Sequence, residues 1–260
     1  PIAFFDSGLG GISVLRETVR LLPQENYLYY GDSLHAPYGV KSEQEIRALV
    51  DTAIRRLIED GAKALVIACN TATSAAIGML REQYPKIPVI GTEPALKPAV
   101  EKYPGGRILV MATPMTIKQE KFQALKRQYD AQAEIIALPC GGLMEFVERG
   151  MLRGPEVENY LFDRLEPYLK VPVDAIVLGC THYPFVRETI QKLLGAGVQI
   201  FDGGAGTARE TERRLKDCGL CSGRAQQGTV ELCNSLASEQ MKQLEIRLLQ
   251  SGTVQAIIKK

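Results

Sequence analysis

Apolar positions along this chain follow two alternating rhythms. Short runs that are apolar almost throughout, IAFF (2–5), NYLYY (26–30), ALVIA (64–68), PVIG (88–91), RILVMA (107–112), EIIAL (134–138), AIVLG (175–179) and VQIF (198–201), are separated by longer stretches of helical period. After the first run, Ile12, Leu15, Val19 and Leu22 recur at spacings of three and four, which places them on one helix face. After the second, Ser42 and Glu45 form a capping-box pattern that opens a helix with Ile46, Leu49, Ala53 and Leu57 facing inward. Strands without polar alternation, separated by helices, predict parallel sheets covered on both faces, and so an α/β protein.

Two of the runs are echoed. IAFFDS (2–7) resembles ILVMAT (108–113), and ALVIACNT (64–71) resembles AIVLGCTH (175–182), at offsets of 106 and 111 residues and in the same order. Two pairs at nearly one offset predict a duplicated α/β unit. A boundary is expected between Pro94 and Pro104, where prolines and glycines gather around a short helix. Beyond Gly206, the strand-like GTVELC (228–233) and TVQAII (253–258) must join one of the sheets, and the pattern does not say which.

Composition narrows the function. The chain has 260 residues, 45% hydrophobic and 23% charged, enough for one large or two ordinary globular domains. Lys and Arg number 31 against 30 Asp and Glu, for a net charge of +1, so no overall field favours nucleic acid or an acidic membrane. No apolar run approaches the roughly 20 residues that span a bilayer. With no secretion signal visible ahead of IAFF, the expected location is the cytoplasm. The six cysteines are irregularly spaced and read as reduced thiols. Cys218 and Cys221 have CxxC spacing, but with two histidines in the whole chain no metal site is expected.

Candidate chemistry sits at the ends of the predicted strands, where open parallel sheets bind ligands. Asp6-Ser7 and a glycine turn follow the first run, Cys69-Asn70-Thr71 the third, Thr113 to Thr116 the fifth, and Cys180-Thr181-His182 its later counterpart. The turn Gly8-Leu9-Gly10-Gly11-Ile12-Ser13 departs from GxGxxG at Ser13, and no GxxxxGK[ST] occurs, so a nucleotide is not expected. The hydroxyls and amide of Ser7, Asn70, Thr71, Thr113, Thr116 and Thr181 suit a small polar ligand carrying carboxylates. Gly31 to Gly39 ends in Pro-Tyr-Gly, which is expected to offer the Tyr38 hydroxyl and the Gly39 amide.

A lone thiol at a strand end is usually packing, but two in matching contexts need a shared explanation. A cysteine hydrolase uses one nucleophile and leaves the second idle. Moving a proton from one face of a carbon to the other uses both. Each thiol then wants a proton manager, Asp6 for Cys69 and His182 for Cys180; Glu148, on a helix ending at Gly150, reads either as a carboxylate that orients His182 or as a solvated helix residue, since nothing local marks it.

FDSGLGG (5–11), Asp32 to Gly39 ending in PYG, ACNTAT (68–73), Glu148 in FVERG and GCTHYP (179–184) together resemble the cofactor-independent glutamate racemases of the aspartate/glutamate racemase superfamily. The resemblance spans about residues 1–210. It implies two pseudo-twofold-related parallel-sheet α/β domains, 1–96 with 207–260 and 97–206, with the active site in the cleft between them. It implies interconversion of L- and D-glutamate for peptidoglycan synthesis, with neither pyridoxal phosphate nor metal. By position, Cys69 and Cys180 correspond to the two proton donors and acceptors, Asp6 and His182 to their auxiliary acid/bases, and Glu148 to the support of His182. Asp6, Ser7, Tyr38, Gly39, Asn70, Thr71, Thr181 and His182 correspond to substrate contacts, and a homodimer is implied. An aspartate racemase, a two-lobed dicarboxylate-binding protein and a single-nucleophile hydrolase stay open as competing readings.

Overall fold

The computed structural model describes residues 1–251 and 257–258. The chain divides into two compact units, Pro1–Thr92 with Gly204–Lys260, and Glu93–Gly203. The crossings fall at 92/93 and 203/204, a few residues ahead of the expected 96/97 and 206/207. The reason is packing. Leu96, Ala99 and Val100, on the helix that follows the first crossing, are buried with Ile108, Val110 and Phe122 of the second unit.

The first unit holds β1 (Ile2–Asp6), α1 (Ile12–Leu21), β2 (Tyr27–Gly31), α2 (Glu43–Glu59), β3 (Ala64–Ile67), α3 (Asn70–Gln83) and β4 (Val89–Gly91). In the second, α4 (Leu96–Lys102), β5 (Arg107–Ala112), α5 (Pro114–Lys118), α6 (Glu120–Tyr129), β6 (Glu134–Pro139), α7 (Leu143–Glu148), α8 (Pro155–Lys170), β7 (Ala175–Leu178), α9 (Arg187–Leu194) and β8 (Gln199–Asp202) follow in order. The chain then returns to the first unit with α10 (Gly204–Asp217), β9 (Thr229–Asn234), α11 (Glu239–Gln250) and β10 (Ile257–Ile258). Two short 3-10 turns, Ser33–His35 and Tyr38–Val40, lie between β2 and α2.

One sheet runs β10-β9-β2-β1-β3-β4 and the other β6-β5-β7-β8. All the pairings are parallel, as the unalternating strands predict. The strands that the pattern left unplaced after Gly206 join the first sheet, β9 pairing with β2 through Tyr27↔Val230 to Gly31↔Asn234. Of TVQAII, only Ile257-Ile258 lies within the described residues, paired with Thr229 and Val230.

The sequence echo is an echo of topology. β1 lies between β2 and β3, and β5 between β6 and β7. From β1 the chain turns one way to β2, and from β3 the other way to β4; β5 and β7 do the same toward β6 and β8. With right-handed crossovers, that reversal sends the flanking helices to opposite faces and opens a crevice at the carboxyl ends of the two central strands. It falls between β1 and β3 in one unit and between β5 and β7 in the other. All four loops singled out above follow those strands.

Burial follows the same plan. Along β5, Ile108 and Val110 pack toward α4 and α6, whereas Leu109 and Met111 pack toward α7, α8 and α9. In α1, Ile12, Leu15 and Val19 are buried as predicted, each such side chain contributing about 1.5–3 kcal/mol. Leu22 lies past the helix end, as its C-cap. The α2 face is rotated from the expectation: Ile46, Val50, Ile54 and Leu57 are buried, while Leu49 and Ala53 are half-buried at its margin. Ile46, Val50 and Ile54 step by four, so the β-branched residues take the centre of the stripe. The Ser42–Glu45 capping box forms in full.

Candidate active site

Cys69 is the N-cap of α3, with extended backbone, and its sulfur accepts from the Ala72 amide at 3.4 Å. A residue that leaves β3 and opens a helix must turn its side chain back over the first-turn amides, which suits an acceptor carrying negative charge. The Ser7 hydroxyl lies 3.2 Å from the same sulfur. Asp6 is fully buried at the end of β1 and its Oδ1 accepts from the Gly8 amide at 3.0 Å. A β-carbon at Gly11 would stand 2.6 Å from Asp6 Cβ and 3.0 Å from Ala68 Cβ, so the glycine lets the turn seat Asp6 against the end of β3. Asn70 and Thr71 are buried in the first turn of α3, and among the described residues the Asn70 Oδ1 has no hydrogen-bond partner.

Tyr38 opens the second 3-10 turn between β2 and α2. Its ring is buried and its hydroxyl donates to Asp32 Oδ2 at 2.7 Å. Burial, reinforced by that hydrogen bond, pushes the phenol far above its ordinary range. The His35 ring meets the same carboxylate through Nδ1, 2.8 Å and 3.0 Å from its two oxygens. Asp32 therefore fastens the Pro-Tyr-Gly turn to the end of β2, leaving the half-buried Gly39 beside it.

In the second unit Cys180 follows β7, and its sulfur lies 3.7 Å from His182 Nδ1. His182 Nε2 lies 2.6 Å from Glu148 Oε1, at the last residue of α7. His182 is buried, and burial opposes its charge. The hydrogen bonds that the ring donates to Cys180 and Glu148 outweigh that cost and hold the imidazole well above its ordinary value of 6.5. Cys180, His182 and Glu148 thus form a line from thiol through imidazole to carboxylate, an arrangement that fixes the ring and supports proton transfer at sulfur. Thr113 caps α5, accepting from the Thr116 amide at 3.1 Å and donating to the Thr116 hydroxyl at 2.9 Å. Thr181 is buried beside Cys180.

A third strand-end thiol, Cys140, plays a different part. Burial raises it to about 12 and its carbonyl accepts from the Tyr183 hydroxyl at 2.8 Å, so it packs the loop after β6. Cys218 and Cys221 are exposed thiols just past α10. Among the described residues, no group of three or more His, Cys, Asp or Glu side chains is placed to hold a metal ion, and no helix is long and apolar enough to cross a membrane.

The candidate residues of each unit are thus gathered at the reversal point of their own sheet. Residues 9–211 match the Asp/Glu/Hydantoin racemase family. The chain belongs to that family. A glutamate racemase of Clostridium perfringens is 53% identical over 250 residues, 96% of each chain. The glutamate racemase isoform RacE1 of Bacillus anthracis superposes with a TM-score of 0.86 at 30% identity, covering 99% of this chain and 96% of that one. A glutamate racemase of Francisella tularensis, solved in complex with D-glutamate, superposes at 0.82 with 27% identity, covering 100% and 96%. Racemases are isomerases, so the family fixes the enzyme class.

Asp32 and His35, read in the sequence only as part of the run ending in Pro-Tyr-Gly, meet at the Asp32 carboxylate, and Ser7, expected at the ligand, also lies against the Cys69 sulfur. Asp32 carried a signal, a carboxylate directly after an apolar strand and six residues before a tyrosine.

Proposed function

We propose that this protein interconverts L- and D-glutamate without a cofactor, using Cys69 and Cys180 as the two bases. In one direction a thiolate takes the α proton from one face of the amino acid, the electron pair resting on carbon and its carboxylate. The other cysteine, as thiol, then delivers a proton to the opposite face and becomes the thiolate. The reverse reaction exchanges the roles, so each sulfur must be able to hold or release a proton. General acid–base assistance of this kind is worth about 10²–10⁴ in rate.

The observation that carries the reading is the pairing of Cys69 with Ser7 and of Cys180 with His182, each at the reversal point of a sheet. The substrate is argued from the polar groups and from the relatives. Ser7, Thr71, Thr116, Thr181 and the Gly39 amide can donate to two carboxylates, and the Asn70 Oδ1, without a hydrogen-bond partner among the described residues, can accept from an ammonium group. The glutamate racemases at about half identity, and the bound D-glutamate of the Francisella structure, favour glutamate over aspartate. D-Glutamate made in the cytoplasm would feed peptidoglycan synthesis, and the enzyme would work as a homodimer.

Incubating either enantiomer with the purified protein, with nothing added, should abolish optical activity. Cys69→Ser and Cys180→Ser should each lose at least about 10²-fold in kcat. Optical activity that persists, or full turnover in either variant, would refute the proposal. Turnover of aspartate at a comparable kcat/KM would move the specificity to the shorter acid.

A further inference from the structure

We propose that Glu245, on the C-terminal helix α11, is a positioning residue that braces the Asp32–Gly39 loop through Asn234. The inference rests on the reading above in that it takes Tyr38 and Gly39 to border the substrate.

Glu245 is 1% exposed among Leu244, Leu248 and Leu249, and it takes no part in the chemistry at either sulfur. A carboxylate in such a place costs desolvation that a leucine would not, a cost that a directional hydrogen-bonding role offsets. Its Oε1 accepts from Asn234 Nδ2 at 3.1 Å, and the same nitrogen donates to Ser33 Oγ at 3.0 Å. Asn234 Oδ1 accepts from the Leu236 amide at 2.9 Å. With both ends of the amide engaged, its orientation is fixed.

Asn234 closes β9 opposite Gly31 of β2. From there the tie spreads into the loop. The Ser235 amide donates to the Gly31 carbonyl at 2.9 Å, and the Ser235 hydroxyl accepts from the Leu34 amide at 2.9 Å. A β-carbon at Gly31 would fall 2.5 Å from the Gly8 carbonyl oxygen and 3.0 Å from Asn234 Nδ2, so the end of β2 is wedged between the glycine turn and that amide. The Asp32 amide donates to the Asp6 carbonyl at 2.9 Å, and the Asp32 carboxylate holds Tyr38. The brace has a firm footing, because Arg16 of α1 grips the end of α11, its Nη1 donating to the Ser251 carbonyl at 2.6 Å. The last helix thereby sets the place of a loop some two hundred residues earlier in the chain.

The test compares Glu245→Leu, Glu245→Gln and Ser33→Ala by steady-state kinetics with both enantiomers and by amide hydrogen exchange of segments 32–40 and 64–72. Losing a hydrogen bond to a charged group should raise KM about tenfold for both enantiomers in Glu245→Leu while kcat stays within about twofold. Glu245→Gln keeps an oxygen acceptor for Asn234 and should stay within about twofold of the parent, and Ser33→Ala should raise KM about threefold. Exchange should quicken in 32–40 and not in 64–72. A folded Glu245→Leu with parental KM and exchange would overturn the proposal, as would Gln and Leu variants equally impaired. If Glu245→Leu does not fold, an unaltered KM and unaltered exchange in Ser33→Ala overturns it. Should the parent protein fail to racemise glutamate, the functional reading falls while the exchange comparison still decides on the brace.

Discussion

Cys69 and Cys180 leave matching strands at matching points of two similar sheets, yet they meet different company. Cys69 caps its helix and has a neutral hydroxyl and a backbone amide at its sulfur, with Asp6 buried on the neighbouring strand. Cys180 has a buried imidazole held well above its ordinary value by Cys180 itself and by Glu148. The strand-end placement of the thiol recurs in both units, and the side chains described at the two sulfurs differ. A racemase needs the two directions balanced overall, and an equilibrium constant of one demands equal kcat/KM for both enantiomers whatever the local chemistry. On the proposed two-base reading, two unlike thiol surroundings serve one symmetric reaction, provided each sulfur has some group to receive or stabilise its proton.

The largest effect should come from His182→Asn, with a loss of about 10²-fold in kcat/KM that is equal for the two enantiomers. The asymmetry should appear in isotope effects. With transfer at Cys180 made slow, a primary effect from α-deuterated substrate should grow in only one direction, and Ser7→Ala should make it grow in the other. If both variants enlarge it in the same direction, the division of labour between the half-sites is wrong.

A smaller effect is expected from Glu148→Gln. The raised value of His182 means that its charge adds stability in full below about pH 6.5 and loses that contribution as pH climbs through the folded-state value. Replacing Glu148 should therefore destabilise the protein by roughly 2–4 kcal/mol at mildly acidic pH and by less at alkaline pH. Denaturant titrations of both proteins across pH 5–10 would check this, and a deficit that grows with pH would contradict it. The smallest effect belongs to the loop after β5, which has Thr113 where the first unit has Ser7. Thr113→Ala removes the α5 cap and should cost about 1 kcal/mol. Thermal unfolding gives that figure, and a rise in KM beyond it would mark a substrate contact as well.

Much of the fold was legible because burial on both faces writes itself into a strand locally. Each apolar run from IAFF to VQIF became a parallel strand, and the echo of ALVIACNT in AIVLGCTH located both thiols. Strand order was not legible, because pairing joins residues far apart in sequence, and so neither the place of β9 beside β2 nor the two reversal points could be read. The centre of the α2 face was missed since Leu49 and Ala53 satisfy the helical period nearly as well as Val50 and Ile54 do. At the site, the thiols, Asp6 and His182 stood in motifs. The bond from Tyr38 to Asp32 and the contact of Ser7 with the Cys69 sulfur depend on loops folding back, which spacing alone does not encode.

The most direct measurement of the two-base claim is the fate of the α hydrogen in the first turnovers in D2O, starting in turn from each pure enantiomer. Two cysteines that each hold their own proton predict a product that carries deuterium at the α carbon from the outset, while recovered starting material stays protiated. Product that retains protium, or starting material that gains deuterium as fast as product forms, would mean that a single group both removes and returns the proton, and would contradict the account.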